Sequence, residues 1–344
     1  MNGTFAPSCS LTMGSQKWTN QVLRIDLSQA AAPGINVMRA LLPASASFSA
    51  NAGDKVDLTL NSGENEERVF SGEIDSIRHR ARGIEITALD AGGVLARFRP
   101  AVTYENATAG TVIRQLAADA GVQTGQLENG NELSFYVADP SRTAWDHIAR
   151  VCGWIGALAT VSPSNEVESQ VVKTTQADLA LRYGREILAL EQIKRAAPIE
   201  AFTVAGEAGA DSASSPDARR PTTDFFQGNP PDGPSRTAIW EFQPALRTNA
   251  AASSAGAARQ REYAAFHETG KLTAYLQPKI RPGTVLEMQD VPDGLPKGPV
   301  WIWRARHTLS AESAVSTLWF ASGGDAGSAD SLLGSALAAV GSLL

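Results

Sequence analysis

The sequence predicts a mainly β protein of the α+β class, with two antiparallel β domains, an α+β insert and an insert of helix and loop. Three observations support this prediction. Apolar and polar residues alternate near both ends of the chain, apolar residues recur at helical spacing between those regions, and two distant segments share one order of turns and strands. The length of 344 residues suits about two domains.

The first β domain is expected at residues 1–100. Half-buried strands are predicted at residues 22–27, 56–60 and 84–89. Short turns rich in Gly, Asn and Asp separate them, and such turns favour antiparallel pairing.

The α+β insert is expected at residues 101–185. Thr108 is a suitable N-cap for a helix that Gly121 ends, because apolar residues follow at three- and four-residue spacing. A second helix is predicted to begin at Ser141 or Asp139 and to end at Gly153, before a hairpin of strands at 154–161 and 167–172.

The second β domain is expected at residues 186–206 and 268–322. Its predicted strands are 199–206, 272–276, 284–289, 300–309 and 316–321. The insert 207–267 contains a Gly- and Pro-rich loop at 207–236 and a helix at 250–267. The apolar tail 323–344 is interpreted either as a frayed end or as a helix that docks on a partner.

An internal repeat relates the two β regions. The long strands 69–79 and 300–307 both end in Arg-His, and the strands 84–89 and 315–320 follow them. This order favours duplicated β modules, although two weak copies can also arise by chance.

Charge and cysteine content exclude several classes of protein. The chain has 30 basic and 36 acidic residues and a net charge of -6, which disfavours tight nucleic-acid binding. Cys9 and Cys152 are too far apart to indicate a disulfide framework, so folding in a reducing compartment is expected. We expect no secretory signal in residues 1–18 and no stable membrane insertion.

The sequence offers no catalytic set, no metal ligands and no cofactor loop. None of the four histidines has a partner at metal-ligand spacing, so surface imidazoles are expected at His79, His147, His267 and His307. Cys152 lies on an apolar helix face and is interpreted as a buried structural thiol. No GxGxxG, GxxxxGK[ST] or GxSxG motif is present.

The paired acidic residues and the clustered aromatic residues also have interpretations that involve no catalysis. The acid pairs Glu66–Glu67 and Asp290 with Asp293 lie in turn-like segments and are expected in solvent. The aromatic residues Trp301, Trp303, Trp319 and Phe320 suit packing in a core or an interface, with a sugar-binding platform as the alternative.

Several motifs together resemble the phage late control protein D family, the baseplate hub of contractile tails. They occupy residues 69–77, 84–90, 103–108, 112–116, 120–122, 141–149 and 271–309. The resemblance spans about residues 45–320, and the order and spacing of the motifs are its most specific feature.

The resemblance implies a structural protein without enzymatic activity. It implies a homotrimer in which each chain supplies two tube-like antiparallel β-barrel domains, and these form a pseudo-sixfold ring between the sixfold tail tube and a trimeric spike. The implied partners are the spike, tail tube and baseplate wedge proteins, with the tape measure as a possible contact. Assembly is expected in the bacterial cytoplasm, followed by residence in the baseplate of a virion tail or a phage-tail-like injection particle.

Two further expectations depend on the trimer. The chain ends soon after the second β domain, so the spike is expected to be a separate chain. Three copies carry a formal charge of -18, which would repel DNA from a lumen lined by acids. The alternative functions are a β-rich carbohydrate- or receptor-binding tail module and, less favoured, a peptidoglycan hydrolase.

Overall fold

The computed structural model describes residues 7–19, 21–63, 66–195, 201–206, 238–296 and 298–322. Nineteen strands and four helices lie in these residues, which confirms the mainly β α+β class. None of the helices in these ranges is long and apolar enough to cross a membrane.

The N-terminal strands form one antiparallel sheet in the order β3-β4-β7-β6-β5-β1-β2. Their bounds are β1 (Ser8–Met13), β2 (Gln16–Trp18), β3 (Arg24–Ala30), β4 (Val37–Pro43), β5 (Lys55–Asn61), β6 (Glu66–Arg80) and β7 (Gly83–Leu89). Alternate residues such as Leu27, Met38 and Leu58 are fully buried, so one face of the sheet covers a core. The predicted strands are present, and the structure adds β1, β2 and β4 to them.

The insert packs helices against short strand pairs. Its elements are α1 (Ala91–Leu95), β8 (Val102–Thr108), α2 (Ala109–Asp119), β9 (Glu132–Ala138), α3 (Ala144–Ile155), β10 (Leu158–Val161) and β11 (Val167–Gln170). Thr108 caps α2 as predicted, because its Oγ1 accepts a hydrogen bond from the Thr111 amide at 3.2 Å.

The predicted ends of α3 were wrong. Its N-cap is Thr143, which forms a reciprocal capping box with Asp146, in place of Ser141 or Asp139. The helix continues past Gly153 to Gly156, whose left-handed φ of 67° ends it. Residues 154 and 155 are therefore helical, and the hairpin that follows is shorter than predicted.

The C-terminal part adds the remaining elements. They are β12 (Leu179–Arg182), β13 (Ile187–Lys194), β14 (Ala201–Gly206), β15 (Ala238–Gln243), α4 (Asn249–Ala265), β16 (Glu268–Tyr275), β17 (Val285–Gln289), β18 (Val300–Ser310) and β19 (Ala314–Ala321). The parallel pair β14–β15 packs with α4, apart from the main sheet. The predicted loop 207–236 and tail 323–344 lie outside the described residues.

Two sets of five strands repeat one pairing order. The first module pairs as β3-β4-β7-β6-β5 and the second as β13-β16-β19-β18-β17, and all of these pairs are antiparallel. The pairing of each long strand with the strand that follows it shifts once at the same place, around Asp75 between β6 and β7 and around Trp303 between β18 and β19. The repeat seen in the sequence is therefore also a repeat of strand order and bulge position.

Asp90 provides a stability prediction. It caps α1, it is only 3% exposed, and burial raises the pKa of its carboxyl group to about 7. Between about pH 4 and 7 the folded state therefore holds a proton that the unfolded state has released, so this contribution to stability falls as pH rises. Asp90→Asn keeps a capping side chain but cannot titrate.

Urea unfolding of the wild type and Asp90→Asn at pH 5 and pH 7 measures this contribution. Relative to the variant, the wild type should lose up to about 1.4 kcal/mol of unfolding free energy per pH unit. A difference between the two proteins that does not change with pH would contradict the assignment.

Candidate functional site

Among the described residues, one strand pair, β3 with β18, joins the sheets of the two modules. The pairing runs antiparallel from Arg304 opposite Ala30 to Ser310 opposite Arg24, so one sheet continues through both modules. This junction is the reference for the candidate site, because it shows how one module attaches to the next.

A charged cluster centred on Asp26 lies at the junction. Asp26 accepts hydrogen bonds from Arg24, from Arg306 at 2.8 Å and from the hydroxyl of Thr308 at 3.0 Å. Burial alone would raise the pKa of Asp26, but these hydrogen bonds outweigh it and lower the pKa to about 2. The carboxylate therefore holds the two modules together in its ionised form at neutral pH.

Among the open strand edges in the part of the chain that the structure describes, two belong to the five-strand modules. β13 ends the sheet and pairs only with β16, and residues 76–80 of β6 extend beyond β5 and pair only with β7. In the repeat, β13 corresponds to β3, and β6 corresponds to β18. The two open edges are therefore the counterparts of the two strands that join the modules.

The repeat also fixes which residues correspond. Alignment of the bulges matches Arg78 with Arg306 and Arg80 with Thr308. Asp26 lies opposite Arg39 of β4, and Glu191 lies opposite Lys271 of β16, so Glu191 takes the place of Asp26. The open edges thus carry both the acid and the bases of a second such cluster.

These charged side chains are largely in solvent. The side chains of Arg78, Arg80 and Glu191 are 70%, 55% and 66% exposed, whereas that of Asp26 is 16% exposed. Arg80 lies 2.6 Å from Glu85, and Lys271 lies 4.0 Å from Glu191. Their solvated ion pairs contribute little to the stability of the single chain.

The β13 edge also exposes apolar surface. Ile193 is 52% exposed and Leu188 is 46% exposed, on a strand whose outer edge pairs with one residue only, Tyr183 opposite Ile187, among the described residues. An open edge with large apolar side chains pairs readily with another strand. This edge therefore has the properties of an assembly surface.

The structure corrects the prediction of surface histidines in two cases. His79 is exposed and His267 is partly buried, but His147 and His307 are fully buried. The ring of His147 lies 2.7 Å from the hydroxyl of Tyr136 and 3.0 Å from the carbonyl of Asp139. Its partners come from an adjacent strand and loop, so it is a hydrogen-bonded core residue.

His307 yields a second pH prediction. Its Nε2 donates to the Ile280 carbonyl at 3.1 Å, its Nδ1 accepts from the Ser316 hydroxyl at 2.8 Å, and burial lowers its pKa to about 4. As the pH falls from about 6.5 to 4, the unfolded state gains a proton that the folded state does not, so stability is lost.

Guanidinium unfolding of the wild type and His307→Gln at pH 7 and pH 4.5 tests this assignment. His307→Gln should be the less stable protein at pH 7, yet it should lose less stability on acidification, by up to about 1.4 kcal/mol per pH unit. Equal losses in the two proteins would show that His307 does not titrate in this way.

The remaining candidates from the sequence do not come together. Cys152 is fully buried as predicted, with a pKa raised by burial to about 12, and Cys9 is partly buried; both are free thiols. Glu67 pairs with Lys279 at 3.5 Å, far along the chain from Asp290 and Asp293. Within the described ranges, no three His, Cys, Asp or Glu residues are grouped as metal ligands.

The aromatic residues do not form an exposed platform. Trp301 and Phe320 are buried, Trp303 packs edge-on against Phe266, and the guanidinium group of Arg304 covers the ring of Trp319 at 4.8 Å. This packing agrees with a core role and gives no support to the sugar-platform alternative.

Comparison with known proteins relates the fold to a class of assemblies. No protein-family model matches the sequence, and no curated protein matches it significantly. Solved structures do match over nearly the whole chain. The 43 kDa tail protein of prophage MuSo2 from Shewanella oneidensis is 15% identical, with a TM-score of 0.66 over 92% of this chain and 98% of that one.

Two further solved structures have a similar fold. The tail protein from Neisseria meningitidis MC58 is 14% identical, with a TM-score of 0.71 over 92% of this chain and 97% of that one. An Escherichia coli component of the type VI secretion system, described as structurally similar to the T4 tail proteins gp27 and gp5, is 10% identical, with a TM-score of 0.61 over 90% of this chain and 75% of that one. The chain therefore has the fold of phage tail proteins.

Proposed function

We propose that the chain is the structural hub of a contractile tail or related injection particle. Three copies form a ring of six modules, and this ring joins a sixfold tail tube to a trimeric spike. The number of copies comes from the resemblance to the late control protein D family. One observation carries the proposal. β13 and residues 76–80 of β6 correspond to β3 and β18, the strands that join the modules, but they do not pair with each other within the chain.

Ring closure follows from pairing the two open edges between copies. Each copy has one β13 edge and one β6 edge, so a head-to-tail contact uses both and leaves neither of these two edges open in a closed ring. The sheet then continues from chain to chain as it already continues from module to module. Backbone hydrogen bonds supply the contact, and side chains select the register.

The register follows from the repeat. Arg80 of one copy lies opposite Glu191 of the next, in the places that Thr308 and Asp26 occupy within the chain. Arg78 approaches the same carboxylate, as Arg306 approaches Asp26. The contact also covers Ile193, which is half exposed in the single chain. Each contact between copies thus combines a buried ion pair with backbone pairing and apolar burial.

The proposed setting is a particle tail. The partners are the spike, the tail tube and the wedge proteins, with the tape measure as a further contact, and assembly takes place in the bacterial cytoplasm. The role is structural, because the contacts between chains join the parts of the particle mechanically and form no covalent bond. The similarity in fold to tail proteins supports this setting.

Disulfide trapping between copies tests the proposed contact. Arg80→Cys and Glu191→Cys are made as separate chains in a Cys9→Ser background and then mixed under oxidising conditions. Opposed residues of paired strands bring their Cβ atoms to about 4.5–5.5 Å, close enough for a disulfide after a small shift. A cross-linked dimer should form only in the mixture.

The control pairs Arg80→Cys with Glu105→Cys, because Glu105 is equally exposed but lies on the insert strand β8. Cross-linking of the control at the same rate would indicate random collision, and absence of the Arg80–Glu191 cross-link would reject the contact.

A further inference from the structure

One face of the continuous sheet is covered by a core only at one end, around Trp301 and Ala321, among the described residues. We define the basic face as the uncovered side of β13, β16, β19, β18, β3, β4 and β7 together with residues 76–80 of β6. Its cations are Lys271 and six arginines, Arg24, Arg39, Arg78, Arg80, Arg304 and Arg306. Its acids are Asp26, Glu85 and Glu191, so the face has an excess of four positive charges on a chain whose net charge is -6.

Geometry places these side chains on one surface. Arg39, Arg78 and Glu85 line a single shallow depression of about 420 Å³ together with Ser76 and Thr87, although they come from three strands. The residues between the cations are mostly small and hydroxylated, such as Ser28, Thr87 and Thr317, and apolar ones such as Val37 and Trp319 are only partly exposed.

The positive surface extends beyond the sheet. At one end of the basic face, Arg39 and Arg304 line a cleft of about 1250 Å³ together with Arg142 and Arg150 of the insert. The guanidinium group of Arg150 also stacks on Trp154 at 5.3 Å. Cations from both modules and from the insert therefore converge on one side of the molecule.

We infer that the basic face binds the phosphate backbone of double-stranded DNA, weakly and without sequence preference. This inference rests on the proposed function and adds to it that the uncovered face lines the channel of the ring. The positive charge of the face is opposite to the negative charge of the acid-lined lumen that the net charge of the chain predicts. Guanidinium groups on a flat polar surface suit phosphate contacts, which carry no sequence information.

The ion pairs on the basic face also set the strength of DNA binding. Arg24 and Arg306 are neutralised in part by Asp26, and Arg78 and Arg80 by Glu85, whereas Arg39 and Arg304 have no acidic partner within the described residues. Only part of the positive charge is therefore available to phosphates. The contact should form at low salt and dissociate as salt is raised, which allows DNA to pass.

The test measures fluorescence anisotropy of a labelled 25-base-pair duplex of mixed sequence, titrated with the full chain from about 50 to 200 mM salt. The variant is Arg39→Gln with Arg304→Gln, which lies outside the proposed contact between copies. The control is Lys17→Gln with Arg114→Gln, which removes the same charge from exposed positions elsewhere. The mass of each protein in the same buffer is measured in parallel.

We expect wild-type binding at 50 mM salt that falls with a linear dependence of log K on log salt. The Arg39/Arg304 variant should bind at least tenfold more weakly with a shallower salt slope, and the control should match the wild type. Absence of wild-type binding, equal loss in both variants, or equally strong binding of poly-glutamate at matched charge would overturn the inference. If only the Arg39/Arg304 variant loses DNA binding and the proteins are monomeric in the same buffer, the DNA-binding face is supported and the ring is rejected.

Discussion

Glu191→Arg is expected to convert the proposed trimer into monomers. In the proposed contact Glu191 lies between Arg78 and Arg80 of the next copy, so the substitution places three cations together at a partly buried junction. Juxtaposed like charges cost several kcal/mol at an interface, which corresponds to a loss of affinity of more than a hundredfold. Sedimentation velocity at micromolar concentration should show the mass fall to that of one chain.

The reciprocal substitution restores part of the contact. Arg80→Glu alone should also weaken the trimer, and Arg80→Glu combined with Glu191→Arg should recover affinity relative to either single variant. Recovery should be incomplete, because residue 80 also lies beside Glu85, 2.6 Å from the arginine in the wild type. Glu105→Arg makes the same charge change on an exposed strand of the insert and should leave the trimer intact. Equal dissociation by Glu105→Arg would indicate a general charge effect.

Gly270→Ala is expected to cause the largest loss of stability. A Cβ atom at this position would lie less than 3.0 Å from both the Phe320 ring and the backbone oxygen of Glu191. Phe320 is fully buried and cannot move aside, so the added methyl group must push β13 or β19 away. We expect a loss of about 3 kcal/mol, at the upper end for overpacking.

Gly298→Ala is the matched control, because a Cβ atom added at that glycine would meet no atom within 4 Å outside its chain neighbours. It should change the free energy of unfolding by less than about 0.5 kcal/mol. Guanidinium titrations of both variants measure the difference. A Gly270→Ala protein as stable as Gly298→Ala would show that β13 is not held as tightly against β16 as the structure has it.

The sequence predicted several of the strands whose packing is regular. β3, β5, β7 and β19 bury alternate residues, so their period of two is visible in the sequence. The duplicated modules were visible for a related reason: the long strands of both modules end in Arg-His next to a closing strand. Local helix chemistry was sufficient to place the cap at Thr108.

β13 could not be predicted in the same way. Its outer residues are exposed because the edge is open, so its burial does not alternate and Leu188 and Ile193 remain in solvent. Its role became visible only when the pairing order showed that it corresponds to β3. The match of Glu191 to Asp26 likewise depends on register, which the sequence alone does not fix.

The wrong predictions for α3 have local causes, whereas that for His307 has a long-range one. The Thr143–Asp146 capping box was readable as a Thr-x-x-Asp pattern, but Ser141 and Asp139 offered competing caps before it. Gly153 has helical neighbours and ordinary φ, whereas the left-handed φ that ends the helix is at Gly156. The burial of His307 depends on Ile280, which is 27 residues away, and no local pattern reports such a contact.

The mass of the purified chain in solution tests the central claim most directly. Native mass spectrometry at micromolar concentration should give a species of about 109 kDa, three times the 36.3 kDa of one chain, and Glu191→Arg should shift it to the single-chain mass. A wild-type protein that remains at 36.3 kDa at all concentrations tested, alone and with its spike, would contradict the ring.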